Sequence, residues 1–340
     1  MAINITPTTI QVGNFKFRET DTGIEFTGQA NTAGIVSGHQ AQGSVSGYTS
    51  GGLTSPSTRV NTIDKHSFSV DNNATDVGDL TAARQNPAGQ SSSTHGYTSG
   101  GDAPPQVNTI DKFPFAVDAN ATDVGDVTQA RREAAGQSSS VSGYSTGGTP
   151  GSGQTNIIDK FPFATDSDAT DVGDLTAVRQ APTGQNSDTF GYTSGGYTSP
   201  GSTGRRNIID KFPFSVDTNA SDVGDLTQAR NAQSGQSSST FGYNSGGYRT
   251  PPPTPGVVDT VDKFPFSVDV NATDVGNLTQ GRYSLAGQSS IVSGYTTGGT
   301  APVPSTDGNV IDKFPFVSDN NSTDVGDLSL ARLRSVGQQV

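Results

Sequence analysis

The chain has no cysteine and no tryptophan, and only one methionine and three histidines among 340 residues. Without cysteine it can form no disulfide, thiolate metal site or thiol nucleophile, and its redox compartment stays open. Apolar residues make up 30% of the chain, and no run of them approaches the ~18 residues of a membrane span. Positive charge is scarce as well: Lys+Arg 20 stand against Asp+Glu 32, a net charge of -12. That balance argues against nucleic acid or an anionic membrane as a partner. The opening Met1-Ala2-Ile3-Asn4-Ile5-Thr6-Pro7 has neither a basic n-region nor an apolar h-region. The expectation is a soluble protein made in the cytoplasm without a secretory signal.

What is abundant is glycine (43) and proline (19), at fixed phases of a repeat. Double glycines fall at Gly51-Gly52, Gly100-Gly101, Gly147-Gly148, Gly195-Gly196, Gly246-Gly247 and Gly298-Gly299, a spacing of 47 to 52 residues. This is the length of a four-stranded propeller blade. In the third copy, small polar Ala135 to Ser140 suit an innermost strand. Gly143 to Gly148 suit a second strand ended by a glycine pair that tolerates positive φ. Asn156 to Phe163 form a third strand, Asp166 to Thr170 a polar turn, and Asp171 to Leu175 a short fourth strand. Residues present in all six copies are expected to hold the array together. Specialised activity then belongs where the copies differ.

The order Tyr192-Thr193-Ser194-Gly195-Gly196, Ile209-Asp210-Lys211, Val223-Gly224-Asp225-Leu226 and Ala229-Arg230 resembles the kelch repeat, over about residues 31 to 340. The resemblance implies an all-β, six-bladed kelch-like β-propeller. It also implies that Arg84, Arg131, Arg179, Arg230, Arg282 and Arg332 form hydrogen bonds between blades. The tryptophan usual in that family near the fourth strand is missing. Phenylalanine pairs, from Phe113 and Phe115 to Phe314 and Phe316, are expected to fill the space between blades, each buried ring contributing about 1.5–3 kcal/mol. The first copy reads His66-Ser67-Phe68 at that place. Pro114, Pro162, Pro213, Pro265 and Pro315 cannot donate to a ladder, so the third strand is expected to stop at Lys-Phe or to bulge there.

The C-terminal Val336-Gly337-Gln338-Gln339-Val340 matches only the start of an inner strand, whereas the first copy begins at its second strand, Ser46 to Gly52. The C-terminal strand is therefore expected to complete the first blade, with Val36 to Gln40 as a competitor. Residues 1–30 stand outside the repeat. There Phe15, Phe17, Ile24 and Phe26 alternate with polar residues around Glu19 to Gly23, the pattern of a hairpin with one apolar face. A lone hairpin is marginal in water. Its face either packs on its own propeller or docks onto another copy or a larger particle.

No catalytic residue, metal ligand or cofactor site is expected. Asp118-x-Asn120-x-Thr122-Asp123-x-Gly125-Asp126 alternates like a calcium loop but lacks its terminal acidic ligand, and Asp and Asn also serve as turn residues. Asn73, Asn120 and Asn271 match glycosylation sequons, which turn chemistry equally explains. Lys65, Lys112, Lys160, Lys211, Lys263 and Lys313 could form a basic ring, but each has an adjacent Asp. His39, His66 and His95 occupy different phases and make no ligand set.

The loop after the double glycine does vary, holding 8, 6, 7, 10, 11 and 9 residues in copy order. Length variation on one face of a repeat array marks either a binding face or drift in unselected surface loops. The longest loops carry Tyr197, Arg205 and Arg206; Tyr248, Arg249 and Pro251-Pro252-Pro253; and Pro302 and Pro304. Tyr and Arg are effective contact residues. The repeat wording D-K-F-P-F, N-A-T-D-V-G-D-L and G-Y-T-S-G-G also resembles structural and fibre proteins of marine bacteriophages. That resemblance implies a non-enzymatic virion protein that meets a host-surface glycan or protein through its loops. It would attach to other virion proteins, or to itself, through the hairpin. The alternative is a cellular kelch-type interaction scaffold.

Overall fold

Short β-prone segments separated by glycine and Asp/Asn turns favour antiparallel ladders over helices. The computed structural model describes residues 42–198, 204–249, 256–301 and 308–340, together with the backbone of Ile10–Val12, Phe15–Thr20 and Gly23–Thr27. The described residues are all-β, without helix, in a propeller-like series of four-stranded antiparallel sheets.

In the third copy the strands run Ala135–Ser138, Ser142–Thr146, Ile157–Pro162 and Thr170–Asp174, in that spatial order. Gln137 stands opposite Tyr144, and Tyr144 opposite Lys160. The other copies repeat this order. In the first, the partner of Ser46–Thr54 is Val336–Gln339, with Gln338 opposite Tyr48. Val36 to Gln40 lie outside the described residues.

The proline difficulty resolves differently from expectation. The third strand runs through the proline, as in Thr109–Pro114 and Ile157–Pro162. Phe163 N donates to the Val141 carbonyl at 2.9 Å, so the neighbouring Pro162 nitrogen faces the opposite side. The fourth strand has already ended there, at the pair Lys160–Thr170. No donor is required of the proline. The register shift sits instead between Ile157 and Asp159, opposite the fourth strand.

The repeated polar groups are spent on neighbouring copies. Arg131 Nη1 lies 2.8 Å from Asp159, both fully buried, while Thr128 donates its amide and hydroxyl to the same carboxylate at 3.0 and 2.7 Å. Arg179 pairs likewise with Asp210, and Arg332 with Asp64. Gln137 donates to the Tyr192 carbonyl at 2.9 Å, and Gln288 to that of Tyr48 at 3.0 Å. A Tyr from one copy packs against the Phe pair of the next: Tyr144 lies 5.4 Å from Phe212 and 5.0 Å from Phe214. Tyr295 meets His66 and Phe68 of the first copy at 5.3 and 4.9 Å. The core is accordingly a set of clusters between sheets, such as Tyr48, Ile63 and Leu80 with Phe113, Phe115 and Ala121. A Cβ on Gly136 would fall 2.0 Å from the Gly89 carbonyl oxygen, so the inner strands approach through their backbones.

Residues Met1–Gly38 form a separate compact unit. Its strands make an antiparallel sheet in the order Ile10–Val12, Phe15–Thr20, Gly23–Thr27, with Phe17 opposite Phe26 and Ile10. The expected hairpin therefore carries a third strand that the alternation did not announce. The side chains of Phe15, Phe17, Ile24 and Phe26 lie outside the described residues.

Candidate functional site

Antiparallel order puts two kinds of connection at opposite ends of every sheet. One end carries the turns from inner to second strand and from third to fourth. There the copies stay alike. Lys65 pairs with Asp118, Lys160 with Asp217 and Lys313 with Asp71, at 2.8–3.0 Å. The lysines thus pair with an Asp of the next copy, because the adjacent Asp (Asp64, Asp159, Asp312) is already committed to a buried Arg. The Asn of the calcium-like segment is also committed: Asn120 Oδ1 accepts from Asp79 N, Asn271 Oδ1 from Asp225 N and Asn73 Oδ1 from Asp327 N, each at 3.0 Å. Among the described residues no group of three or more His, Cys, Asp or Glu side chains is placed to hold a metal ion.

The other end carries the loops after the double glycines and the connections from each fourth strand to the following inner strand. Two residues past each buried arginine, the chain adopts positive φ at a non-glycine residue: Asn86, Glu133, Ala181, Ala232, Ser284 and Arg334, with φ between 48 and 59°. Their backbones bond head to tail. Glu133 N donates to the Asn86 carbonyl, Ala181 N to that of Glu133, Ala232 N to Ala181, Ser284 N to Ala232, Arg334 N to Ser284 and Asn86 N to Arg334, at 2.7–2.9 Å. The result is a continuous circle of amide–carbonyl bonds. The left-handed conformation costs a non-glycine residue about 1 kcal/mol or more, and the circle of bonds offsets it. Because every ring member has satisfied its backbone, its side chain is free to differ, and all but the two alanines do.

Above this ring lies a cavity of ≈ 360 Å³. Ala181 and Ala232 leave one side of its floor low, while Asn86, Glu133 and Arg334 edge the other. The walls are Arg205, Tyr248 and Tyr283, with Gln180 and Asn231 between them. A second cavity of ≈ 130 Å³ continues from the ring toward the glycines of the inner strands, including Gly89 and Gly136.

The longer loops place the wall residues. Tyr197 bridges to Gln180 and Arg205. Tyr248–Arg249 pairs with both Arg230–Asn231 and Gly256–Val257, which sets Tyr248 opposite Asn231. The Arg205 guanidinium lies 4.5 Å from the Tyr248 ring centroid and 5.6 Å from that of Tyr197, and its Nε donates to Asn231 Oδ1 at 2.8 Å. Burial lowers the Arg205 pKa, against which the two tyrosines act. Tyr283 meets Tyr248 edge-on, with centroids 5.7 Å apart. Glu133 Oε2 is buried without a hydrogen-bond partner. Burial lifts its carboxyl above the ordinary range, while Arg132 and Arg334 pull it down.

Of the loop residues singled out from the sequence, Tyr197, Arg205 and Tyr248 come together. Arg206 does not join them: it turns onto its own loop, with Nε 3.3 Å from Thr198 Oγ1. Arg249 stands opposite Arg230 and does not line the cavity. Pro251, Pro252, Pro253, Pro302 and Pro304 lie outside the described residues, as does His39. Glu133, Gln180, Asn231, Tyr283 and Arg334 escaped the sequence reading. Their signal was the pair of residues after each repeated arginine, which reads differently in every copy.

No protein-family model matches the chain, and no curated protein matches it.

Proposed function

We propose that the protein is a non-enzymatic recognition propeller of a bacteriophage particle: six kelch-like blades, closed by the C-terminal strand, that meet the host surface with the loop face. The observation that carries this reading is the division of labour between the two ends of the sheets. Repeated Arg, Asp, Gln, Lys and Phe side chains are consumed in contacts between copies, and the non-repeated Tyr, Arg, Glu and Asn side chains converge on one cavity. Closure is supported by the pairing of Val336–Gln339 with Ser46–Thr54, by the Tyr295–Phe68 contact and by the circle of backbone bonds. The repeated Asp of the third strand is tied up in a buried pair with arginine, as at Asp111, Asp159 and Asp262. The particle assignment rests on the resemblance of the repeat wording, and attachment is assigned to the separate N-terminal sheet.

Immunogold electron microscopy of phage-like particles tests it. Label at a tail or fibre tip is the expected result, and absence of label from every particle overturns the virion reading. Deleting residues 1–30 should abolish attachment while the repeat array stays folded. Loss of the fold on that deletion would remove the anchor role.

A further inference from the structure

The loop-face cavity has a chemical character of its own. The molecule carries a net charge of -12, yet the charged side chains lining this cavity are two guanidiniums, Arg205 and Arg334, and one carboxylate, Glu133. An excess of positive charge inside an acidic protein selects an anion. Guanidinium is the group best matched to a carboxylate, through parallel N–H donors. The stacking of Arg205 on Tyr248 and its bond to Asn231 hold the guanidinium plane before any ligand arrives, which reduces the ordering cost of binding.

The remaining lining is suited to hydroxyl groups. Asn231 and Gln180 offer amides. Tyr248 and Tyr283 add aromatic surface for a ring with apolar faces. At ≈ 360 Å³ the cavity is at the small end of ligand pockets, of a size for one or two sugar rings rather than a peptide.

We propose that the cavity between Arg205, Tyr248, Glu133 and the alanines Ala181 and Ala232 binds an acidic saccharide unit, its carboxylate on Arg205 and its hydroxyls on Asn231 and Gln180. This rests on the loop-face recognition reading and gives it a ligand class.

The test is calorimetric titration of the full chain with D-glucuronate, D-glucose and acetate. Glucuronate should bind at least ten-fold more tightly than either of the others, since glucose lacks the carboxylate and acetate lacks the hydroxyls. Arg205→Gln should weaken glucuronate at least ten-fold. Ala232→Asn should do the same by filling the floor, because asparagine accepts the positive φ of that position. Far-ultraviolet circular dichroism and Tm check that both variants fold. Equal binding of glucose and glucuronate, or unchanged binding in both variants, overturns the proposal. Adhesion of the fluorescently labelled full chain to host cells separates the two levels. Adhesion that needs Arg205 but is not competed by glucuronate overturns the acidic-saccharide assignment alone. Adhesion indifferent to Arg205→Gln overturns the loop-face reading as well.

Discussion

The two ends of the same sheets obey different rules. At the turn end, each lysine meets the Asp of the next copy, and an Asn, or Asp168 in the third copy, accepts from a backbone amide of the preceding copy. Any departure there is felt by two copies at once. At the loop end, the backbone circle through Asn86, Glu133, Ala181, Ala232, Ser284 and Arg334 satisfies every amide whatever the side chain. That end is structurally tolerant and chemically free. Recognition can be built on it without disturbing the interfaces beneath, because binding residues are placed most cheaply on loops held by a rigid scaffold.

The comparison breaks most visibly at the buried ion pairs. Asp159→Ala leaves Arg131 charged and unpaired between two copies, with Thr128 also losing its acceptor. Denaturant unfolding should show a loss of about 3–5 kcal/mol. A loss below 1 kcal/mol would mean that these pairs do not hold the copies together.

The next effect concerns the one copy that departs from the interface pattern. His66 is buried, 3% exposed, and neither ring nitrogen has a hydrogen-bond partner. Burial pushes its pKa down to about 4 from the ordinary 6.5. Between those values the unfolded chain binds a proton that the folded protein refuses, so stability falls as pH drops from 6.5 towards 4. The fall reaches about 3 kcal/mol and then levels off. His66→Phe restores the residue of the other copies and should remove this component. Unfolding curves at pH 4 and pH 7 for both proteins check it, and an equal pH dependence in the two would contradict it.

At the loop end the expected stability changes are smaller. Arg205→Gln loses its contacts with two tyrosine rings, worth about 1 kcal/mol, and under the proposed function host-cell adhesion should fall at least ten-fold. A smaller change still is expected at the turn end's surface. Lys160→Ala removes an exposed pair with Asp217 and should cost about 0–1 kcal/mol, fading with added salt. A larger, salt-insensitive loss would give the lysine ring a structural weight that this comparison denies it.

Much of the scaffold was readable because its signals are local and repeated. The glycine pairs announced strand ends, and the Phe pairs announced contacts between copies. The resemblance to kelch repeats assigned the arginines correctly to bonds between copies. Proline was misread: its missing donor matters only on the side where a strand continues, and alternation cannot show where the fourth strand stops. The lysine partner was misread for a similar reason, since the adjacent Asp64 or Asp159 is consumed by an arginine from another copy. At the site, loop length and residue type led to Tyr197, Arg205 and Tyr248. Glu133 and Arg334 were hidden, because nothing in a linear sequence says that the second residue after each arginine returns to a common ring.

The most direct test of the division between scaffold and site is a paired measurement on the Arg205→Gln, Tyr248→Ala double variant. Host-cell adhesion and Tm would be read on the same preparation as the unaltered chain. The account predicts adhesion lost and Tm lowered by no more than a few degrees. Adhesion retained with the fold intact would contradict it.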